Sequence, residues 1–482
     1  MTVAQIAEAT GGSLVEGADP AALATAMTWD SRGAQPGCLY VALPGERADG
    51  HDFTADAVRA GAVCALVEHP VDAPCAQVVV GDTVEALGLL AGAWRRRLKG
   101  TVLGLTGSTG KTSTKALVRD VLAAAGAVRA TEANQNNEIG APRTLLAADA
   151  DTAFAVVEMG MRGLGQITQL CAFSRPDWGL VTNVGESHME LLGTQENIVR
   201  AKAELYRALP EGGIAFVNGA DALSPQLCAE GGLAERPVTV VYFSGSGPIP
   251  ADAPLPRVAD GPAVWAEEVS LDGAGRPSFR LRARGFAALS NSRADGSAPC
   301  TLQVRGFHNV SNACAAAAVG LAAGLPLDRC IAALEASQPE GGRQEFLTCA
   351  GGAILMNDAY NASPDSMAAA LATLAALDVS GRRVAVLGDM GELGPIADHA
   401  HRQVGAAAAR AGVDRLLCLG EQAPLMAAGA VEAGMDEDAV AIVPSLAAAI
   451  DDLRASAGPH DAVLVKASHF MGFEKIVEGL VD

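Results

Sequence analysis

The sequence predicts an α/β protein built as three successive units, and three observations carry that reading. Short apolar runs of strand length alternate with Ala- and Leu-rich stretches of helix length along most of the chain. At 482 residues the chain is too long for one ordinary core. One stretch, Leu103–Lys115, reads LGLTGSTGKTSTK, in the order strand, glycine loop, helix. Half of the residues are hydrophobic but only 4% are aromatic, so Ala, Val and Leu must fill the cores, as they do where helices pack on sheets.

Residues 1–83 form the first unit, small and α/β. It has strands at Gly37–Leu43, Cys64–Val67 and Gln77–Val80 and a helix at Phe53–Ala62. The second unit, 84–339, opens with a helix at Val84–Leu98 and continues as a nucleotide-binding α/β sheet. Its strands are expected at Thr101–Leu105, Ala153–Glu158, Trp178–Asn183 and Ile214–Asn218. Between Val238 and Val304 the composition turns to Gly, Pro and Ser with period-two runs such as Val269–Leu271 and Ser278–Leu281. This predicts antiparallel strands added to the sheet, with loops near Pro248–Pro262 and Leu289–Ala298. A helix at Asn309–Ala323 closes the unit, and Pro326 and Gly341-Gly342 punctuate the chain beyond it. The third unit, 340–482, has a Rossmann-like rhythm, with strands at Gly352–Met356, Arg383–Leu387, Arg415–Leu419, Ala441–Val443 and Ala462–Lys466. It lacks G-x-G-x-x-G, which argues against a dinucleotide site.

The glycine loop is the strongest chemical signal. Gly107 and Gly110 let backbone amides turn toward one point, and the helix beyond them adds its positive dipole end. Ser108, Thr109 and Ser113 complete the loop and first turn. Lys111 supplies a charge for outer phosphates, and the Thr112 hydroxyl suits a magnesium shell. Together they predict a nucleoside triphosphate site. The loop departs from G-x-x-x-x-G-K-[ST] in having Leu105 where the first glycine belongs, and a glycine turn before an ordinary helix is the bland alternative.

Glu158 ends an apolar strand, where a carboxylate can ligate Mg²⁺ or simply cap a helix. His188, in Thr182–His188 after the next strand, falls near the same crevice, although a lone His is as often structural. Lys202 lies in a helical pattern, and spacing alone makes it a solvated charge. Asn309 and Asn312 suit hydrogen bonds to a base or ribose, with capping as the alternative for Asn309. The polar cluster Asn357–Pro364 reads as a site at a strand end.

The net charge, 35 − 55 = −20, works against nucleic acid or anionic membrane as a partner. Arg95-Arg96-Arg97, the densest basic run, reads as the solvated face of a linker helix. Ten scattered cysteines without a Cys-x-x-Cys pair argue against zinc and disulfides and for a reducing compartment. The most apolar long run, Ala313–Leu327, is shorter than the ~20 residues a bilayer span needs. A soluble cytoplasmic protein is expected, without membrane insertion.

The set as a whole resembles the Mur ligase family, ATP-dependent enzymes that extend the peptide stem of the cell-wall precursor. The residues that carry the resemblance are the glycine loop, Glu158, His188, Lys202, His308-Asn309 with Asn312, Arg343, and Asp358 with Asn361 and Pro364. Four stretches are similar to the member that joins D-alanyl-D-alanine to UDP-N-acetylmuramoyl-tripeptide: Asp30–Arg32 with Asp49–His51, Asn134–Pro142, Asn357–Pro364 and Val386–Gly394.

The resemblance implies a uridine-nucleotide domain, a central ATP domain and a C-terminal ligase domain working as a monomer. It implies ATP and two Mg²⁺ as cofactors. Lys111 and the loop would hold phosphates, and Thr112, Glu158, His188 and a carbamylated Lys202 would hold metal. Asn309, Asn312, Arg343 and Asp358 would reach the nucleotide. Ser31, Arg32, Asp49, His51, Asn134, Asn137, Asn361, Lys466 and Ser468 would reach substrate. One departure stands out: the family's Lys-Gly-Ser-Arg reads Lys466-Ala467-Ser468-His469 here, a titratable group in place of a permanent cation. The alternatives are another Mur-type or folylpolyglutamate synthase-like amide ligase, or a P-loop switch protein.

Overall fold

Three sheets, each flanked by helices, account for the chain in a computed structural model that describes residues 1–45, 47–290 and 295–481. The first sheet contains β1 (Ser13–Leu14), β2 (Ala26–Thr28), β3 (Cys38–Val41), β4 (Cys64–Val67) and β5 (Ala76–Val79), in the order β1-β5-β4-β3-β2. β3 and β4 are buried along their whole length, which is why they read as continuous apolar runs.

The second sheet has nine strands: β6 (Thr101–Thr106), β7 (Ala127–Ala130), β8 (Thr152–Glu158), β9 (Trp178–Val181), β10 (Ile214–Asn218), β11 (Thr239–Ser244), β12 (Ala263–Leu271), β13 (Pro277–Arg284) and β14 (Gly296–Thr301). Their order is β14-β13-β12-β11-β10-β9-β6-β8-β7. Helices Lys111–Ala123 and His308–Ala322 cover one face through Leu117, Val121 and the Ala313–Val319 run, and Gln166–Ser174 and Gln195–Arg207 cover the other. The expectation that the segment after Val238 is antiparallel holds only for its last two pairings. β11 and β12 pair parallel, extending the parallel sheet, and antiparallel pairing begins where β13 joins β12 and continues from β13 to β14. β11 is buried along nearly all its length, so it lacks the alternation that marks a half-exposed strand. Of the expected loop Leu289–Ala298, residues 291–294 lie outside the described residues, and Gly296 onward is strand.

The third sheet comprises β15 (Glu345–Thr348), β16 (Ile354–Asn357), β17 (Arg383–Gly388), β18 (Arg415–Leu419), β19 (Val440–Ile442) and β20 (Ala462–Lys466), in the order β15-β16-β20-β17-β18-β19. All pairs are parallel except β15 with β16, and apolar clusters cover both faces.

Arg95 corrects the reading of the basic run. Its guanidinium is mostly buried, 2.8 Å from Asp177, and ties helix Thr83–Arg95 to the start of β9, whereas Arg96 and Arg97 are exposed. All ten cysteines are free thiols. Among the described residues no helix is long and apolar enough to cross a membrane. In the second sheet the chain leaves β6 for one side and returns to its other side at β9. This opens a crevice at the carboxyl ends of β6, β8 and β9, where α/β sheets bind ligands.

Candidate functional site

The glycine loop leaves β6 at that crevice. Leu105 is fully buried and still part of the strand, paired with Glu158 and Leu180, so the position of the missing glycine is a core position. Gly107 and Gly110 have φ of +156° and +75°, and a Cβ on Gly107 would stand 1.8 Å from Thr182 Oγ1. β9 buttresses the loop. Asn183 Oδ1 accepts from the Thr109 amide at 3.0 Å, Thr182 Oγ1 donates to the Thr109 carbonyl at 2.7 Å, and the Gly185 amide donates to Ser108 Oγ at 2.8 Å. The Lys111 ammonium folds back on the carbonyls of Gly107 and Ser108 at 2.7 and 3.3 Å. Burial lowers its pKa, and Arg343 adds to that, while Glu158 opposes it. Ser113 continues the first turn of the helix.

Glu158, at the end of β8, is 1% exposed. Its Oε1 accepts from Asn136 Nδ2 at 2.8 Å and Thr112 Oγ1 at 3.3 Å. Its buried Oε2 has no hydrogen bond and faces the ammonium of Lys115 at 3.2 Å. Lys115 Nζ also donates to the Ala133 carbonyl at 2.5 Å. Among the described residues no three His, Cys, Asp or Glu side chains group as a metal cage. One carboxylate, one hydroxyl and one imidazole nearby still suit Mg²⁺, which takes few protein ligands and completes its shell with phosphates and water.

His188 follows β9 with φ +65°. Its Nδ1 donates to Glu392 Oε2, and Arg162 Nη2 lies 2.5 Å from Glu392 Oε1. Burial and the nearby Lys111 lower the His188 pKa, against the pull of Glu392. Burial pushes Glu392 up, but His188 and Arg162 outweigh it and hold the carboxyl below its ordinary value.

Lys202 corrects the spacing argument. It is 1% exposed, not a solvated charge, because its helix turns that face onto the sheet. Among the described residues its ammonium makes no hydrogen bond or ion pair. Burial, reinforced by Lys111, drives its pKa well below the ordinary lysine value, and Asp221 opposes the shift.

The helix His308–Ala322 meets the first helical turn after the loop through Asn312. Asn312 Oδ1 accepts from Thr114 Oγ1 at 3.0 Å, and Asn309 Oδ1 accepts from Asn312 Nδ2 at 2.8 Å. A cleft of about 880 Å³ opens beside them, lined by Thr109, Asn183, Asp221, Phe307, His308 and Asp365.

The third sheet contributes a second cluster. Asp358, at the end of β16, lies 2.7 Å from Lys466 at the end of β20, and burial raises the Asp358 pKa against that cation. Lys466 Nζ also donates to the Asn361 carbonyl at 2.8 Å. Ser468 Oγ accepts from the Gly391 amide at 2.9 Å. The Arg343 guanidinium sits 4.1 Å from the Tyr360 ring centre, and His469 stacks with the same ring at 5.7 Å. Burial raises the Tyr360 pKa, while Arg343 and Asn134 beside its hydroxyl lower it.

The glycine loop, Glu158, His188, Lys202, Asn309, Asn312 and Arg343 thus share one region. The first-unit residues spend their contacts locally. Arg32 pairs with Asp30 at 2.8 Å beside Ser31. His51 is buried, with Nδ1 on Asp49 at 2.6 Å and Nε2 accepting from the Glu68 amide at 2.8 Å, so both ring nitrogens are committed. Asn137 Oδ1 caps helix Gly140–Leu146 through the Gly140 amide at 2.9 Å. Sequence reasoning missed Lys115, Asn136, Tyr360 and Glu392. Their positions inside the sequence motifs were the only signal, and burial or long-range pairing selects them.

Three family models cover most of the chain: Mur ligase family, catalytic domain (24–94), Mur ligase middle domain (105–320) and Mur ligase, glutamate ligase domain (342–469). The UDP-N-acetylmuramoyl-tripeptide–D-alanyl-D-alanine ligase of Mycobacterium leprae is 37% identical, over 100% of this chain and 98% of that protein. A crystal structure of MurF from Acinetobacter baumannii matches with TM-score 0.84 and 30% identity, covering 100% of this chain and 98% of that one. MurF from Thermotoga maritima in complex with ADP matches with TM-score 0.76 and 25% identity over 94% and 96%.

Proposed function

The chain belongs to the Mur ligase family, and from that premise we propose that it joins D-alanyl-D-alanine to UDP-N-acetylmuramoyl-tripeptide at the expense of ATP. The observation that carries this reading is likeness along the whole chain to ligases of that name, which takes in all three sheets. Residues 1–83 hold the uridine nucleotide, 84–339 the ATP and 340–482 the side that closes over both. Every group the reading needs comes from one chain, so the single chain is the working unit. The free thiols fit the reducing conditions of the cytoplasm.

The peptide carboxylate attacks the γ-phosphorus of ATP, giving an acyl phosphate and ADP. The dipeptide amine then attacks the activated carbonyl, loses a proton, and phosphate leaves. Bringing a carboxylate to a polyanion makes positive charge the main requirement. Lys111, the loop amides and the helix N-terminus hold the β- and γ-phosphates. Asn309 and Asn312 approach the nucleoside, with Arg343 and Asp358 opposite. The Asn134–Pro142 loop meets the peptide stem, with Asn361, Lys466 and Ser468 on the closing side.

Thr112, Glu158, His188 and a carbamylated Lys202 would hold two Mg²⁺, whose charge would offset that of the phosphates and the incoming carboxylate. The buried Glu158 carboxylate, to which Thr112 Oγ1 donates at 3.3 Å, supports that set. The lowered pKa of Lys202 supports carbamylation, because the neutral amine is the form whose lone pair adds to CO₂ with loss of a proton.

The test is phosphate release from ATP, expected only when the UDP-tripeptide and D-alanyl-D-alanine are both present. Release with a folate and glutamate instead would overturn the reading. Running lysine- and diaminopimelate-containing tripeptides side by side identifies the third stem residue.

A further inference from the structure

We propose that Glu392 is a positioning residue: across the junction of the second and third sheets, it holds the His188 imidazole with Nδ1 protonated and Nε2 left free for metal. The inference rests on the metal set proposed for His188 and assigns Glu392 a part in it.

A carboxylate only accepts hydrogen bonds, so the nitrogen facing Glu392 Oε2 must carry a proton. That leaves the Nε2 lone pair, the form an imidazole needs as a metal ligand, and a carboxylate behind such a His fixes both tautomer and ring direction. The contact is built on both sides. His188 and Glu392 are both non-glycine residues in the left-handed region, at φ +65° and +61°, a conformation that persists where surroundings enforce it. The backbones are joined as well, the Glu190 amide donating to the Glu392 carbonyl at 3.0 Å. Arg162 holds the other carboxylate oxygen at 2.5 Å, so Glu392 has one direction left in which to face His188.

The two residues belong to different layers. His188 follows β9 of the nucleotide sheet, whereas Glu392 follows β17 of the third. The imidazole therefore acquires its partner only when the third unit docks. Docking and completion of a metal ligand become one event, which ties phosphate activation to closure.

The experiment is Mn²⁺ binding to the full-length chain in the presence of a non-hydrolysable ATP analogue, read by electron paramagnetic resonance, on the wild type, E392A, E392Q and R162A. E392A is expected to weaken the affected Mn²⁺ by about 10–100-fold. E392Q keeps an acceptor for Nδ1–H and is expected to lose less than E392A, and R162A, which removes only the hold on the second carboxylate oxygen, to lose clearly less than E392A. E392D, one methylene shorter, serves the same comparison should E392A not fold. Unchanged Mn²⁺ binding in E392A, or equal losses in E392A and R162A, would reduce Glu392 to a docking contact and overturn the inference. A wild-type chain that binds no Mn²⁺ with nucleotide would overturn the metal reading, and this inference with it.

Discussion

Replacing Lys115 by Met tests whether the buried carboxylate of Glu158 is held in place by a helix lysine. The two charged ends are 3.2 Å apart and both side chains are 1% exposed. At an effective dielectric constant of ~20, a pair 3.2 Å apart attracts by about 5 kcal/mol. Part of that is offset, because the variant no longer desolvates an ammonium, and Asn136 and Thr112 still donate to Oε1. The Ala133 carbonyl loses its donor as well, which adds about 0.5–1.5 kcal/mol. The expected net loss is about 3–5 kcal/mol, the range for breaking a buried pair from one side. For a unit of this size that lowers the unfolding midpoint by roughly 6–20 °C. The assay is thermal unfolding by circular dichroism of the wild type, K115M, E158Q and K115M/E158Q. The double variant should recover most of the loss, since no charge is left stranded. A K115M midpoint within about 2 °C of wild type, or a double variant no more stable than K115M, would refute the argument.

A buried lysine and a partly buried histidine give testable outcomes. K202A should abolish ligation, with partial rescue by short carboxylic acids. Labelled ¹³CO₂ should give the wild type a carbamate resonance that K202A lacks and that shrinks as acidification protonates the amine; full activity in K202A would sink the carbamate. Burial pushes the His308 imidazole from 6.5 down to about 4. Between those values acid protonates the unfolded chain but not the folded one, so this contribution to stability is complete above pH 6.5 and is lost as pH falls toward about 4. Midpoints measured from pH 7.5 to 4 should fall less steeply in H308N than in the wild type, and equal slopes would refute the assignment.

What could be read from the sequence was local. β6, its glycine loop and the helix behind it form a pattern complete within a few residues, and β10, β18 and β20 match the expected spans. β7 (AVRA) is too short and too half-exposed to stand out, and helix Leu327–Ala336 was hidden because Pro326 reads as a break where it is the residue before the first turn. In the site, three asparagines within Asn134–Asn137 look equivalent. Only the fold shows that Asn136 reaches Glu158, while Asn137 caps a helix and Asn134 stands by Tyr360. Lys115 and Lys202 have the helical setting of surface lysines, and tertiary packing alone buries them. The pairing of His188 with Glu392 spans 204 positions, beyond any spacing rule.

The fold-back of Lys111 onto Gly107 and Ser108 makes nucleotide binding an exchange. When the ammonium turns to a phosphate it abandons two carbonyl oxygens, so each binding event begins with a loss of about one to two hydrogen bonds. A small anion that offers a single contact does little more than repay that loss. A polyphosphate touching several loop amides and the helix end exceeds it. The loop therefore discriminates by chain length before any base is recognised, and inorganic phosphate released in the reaction leaves a site whose own lysine competes to refill it.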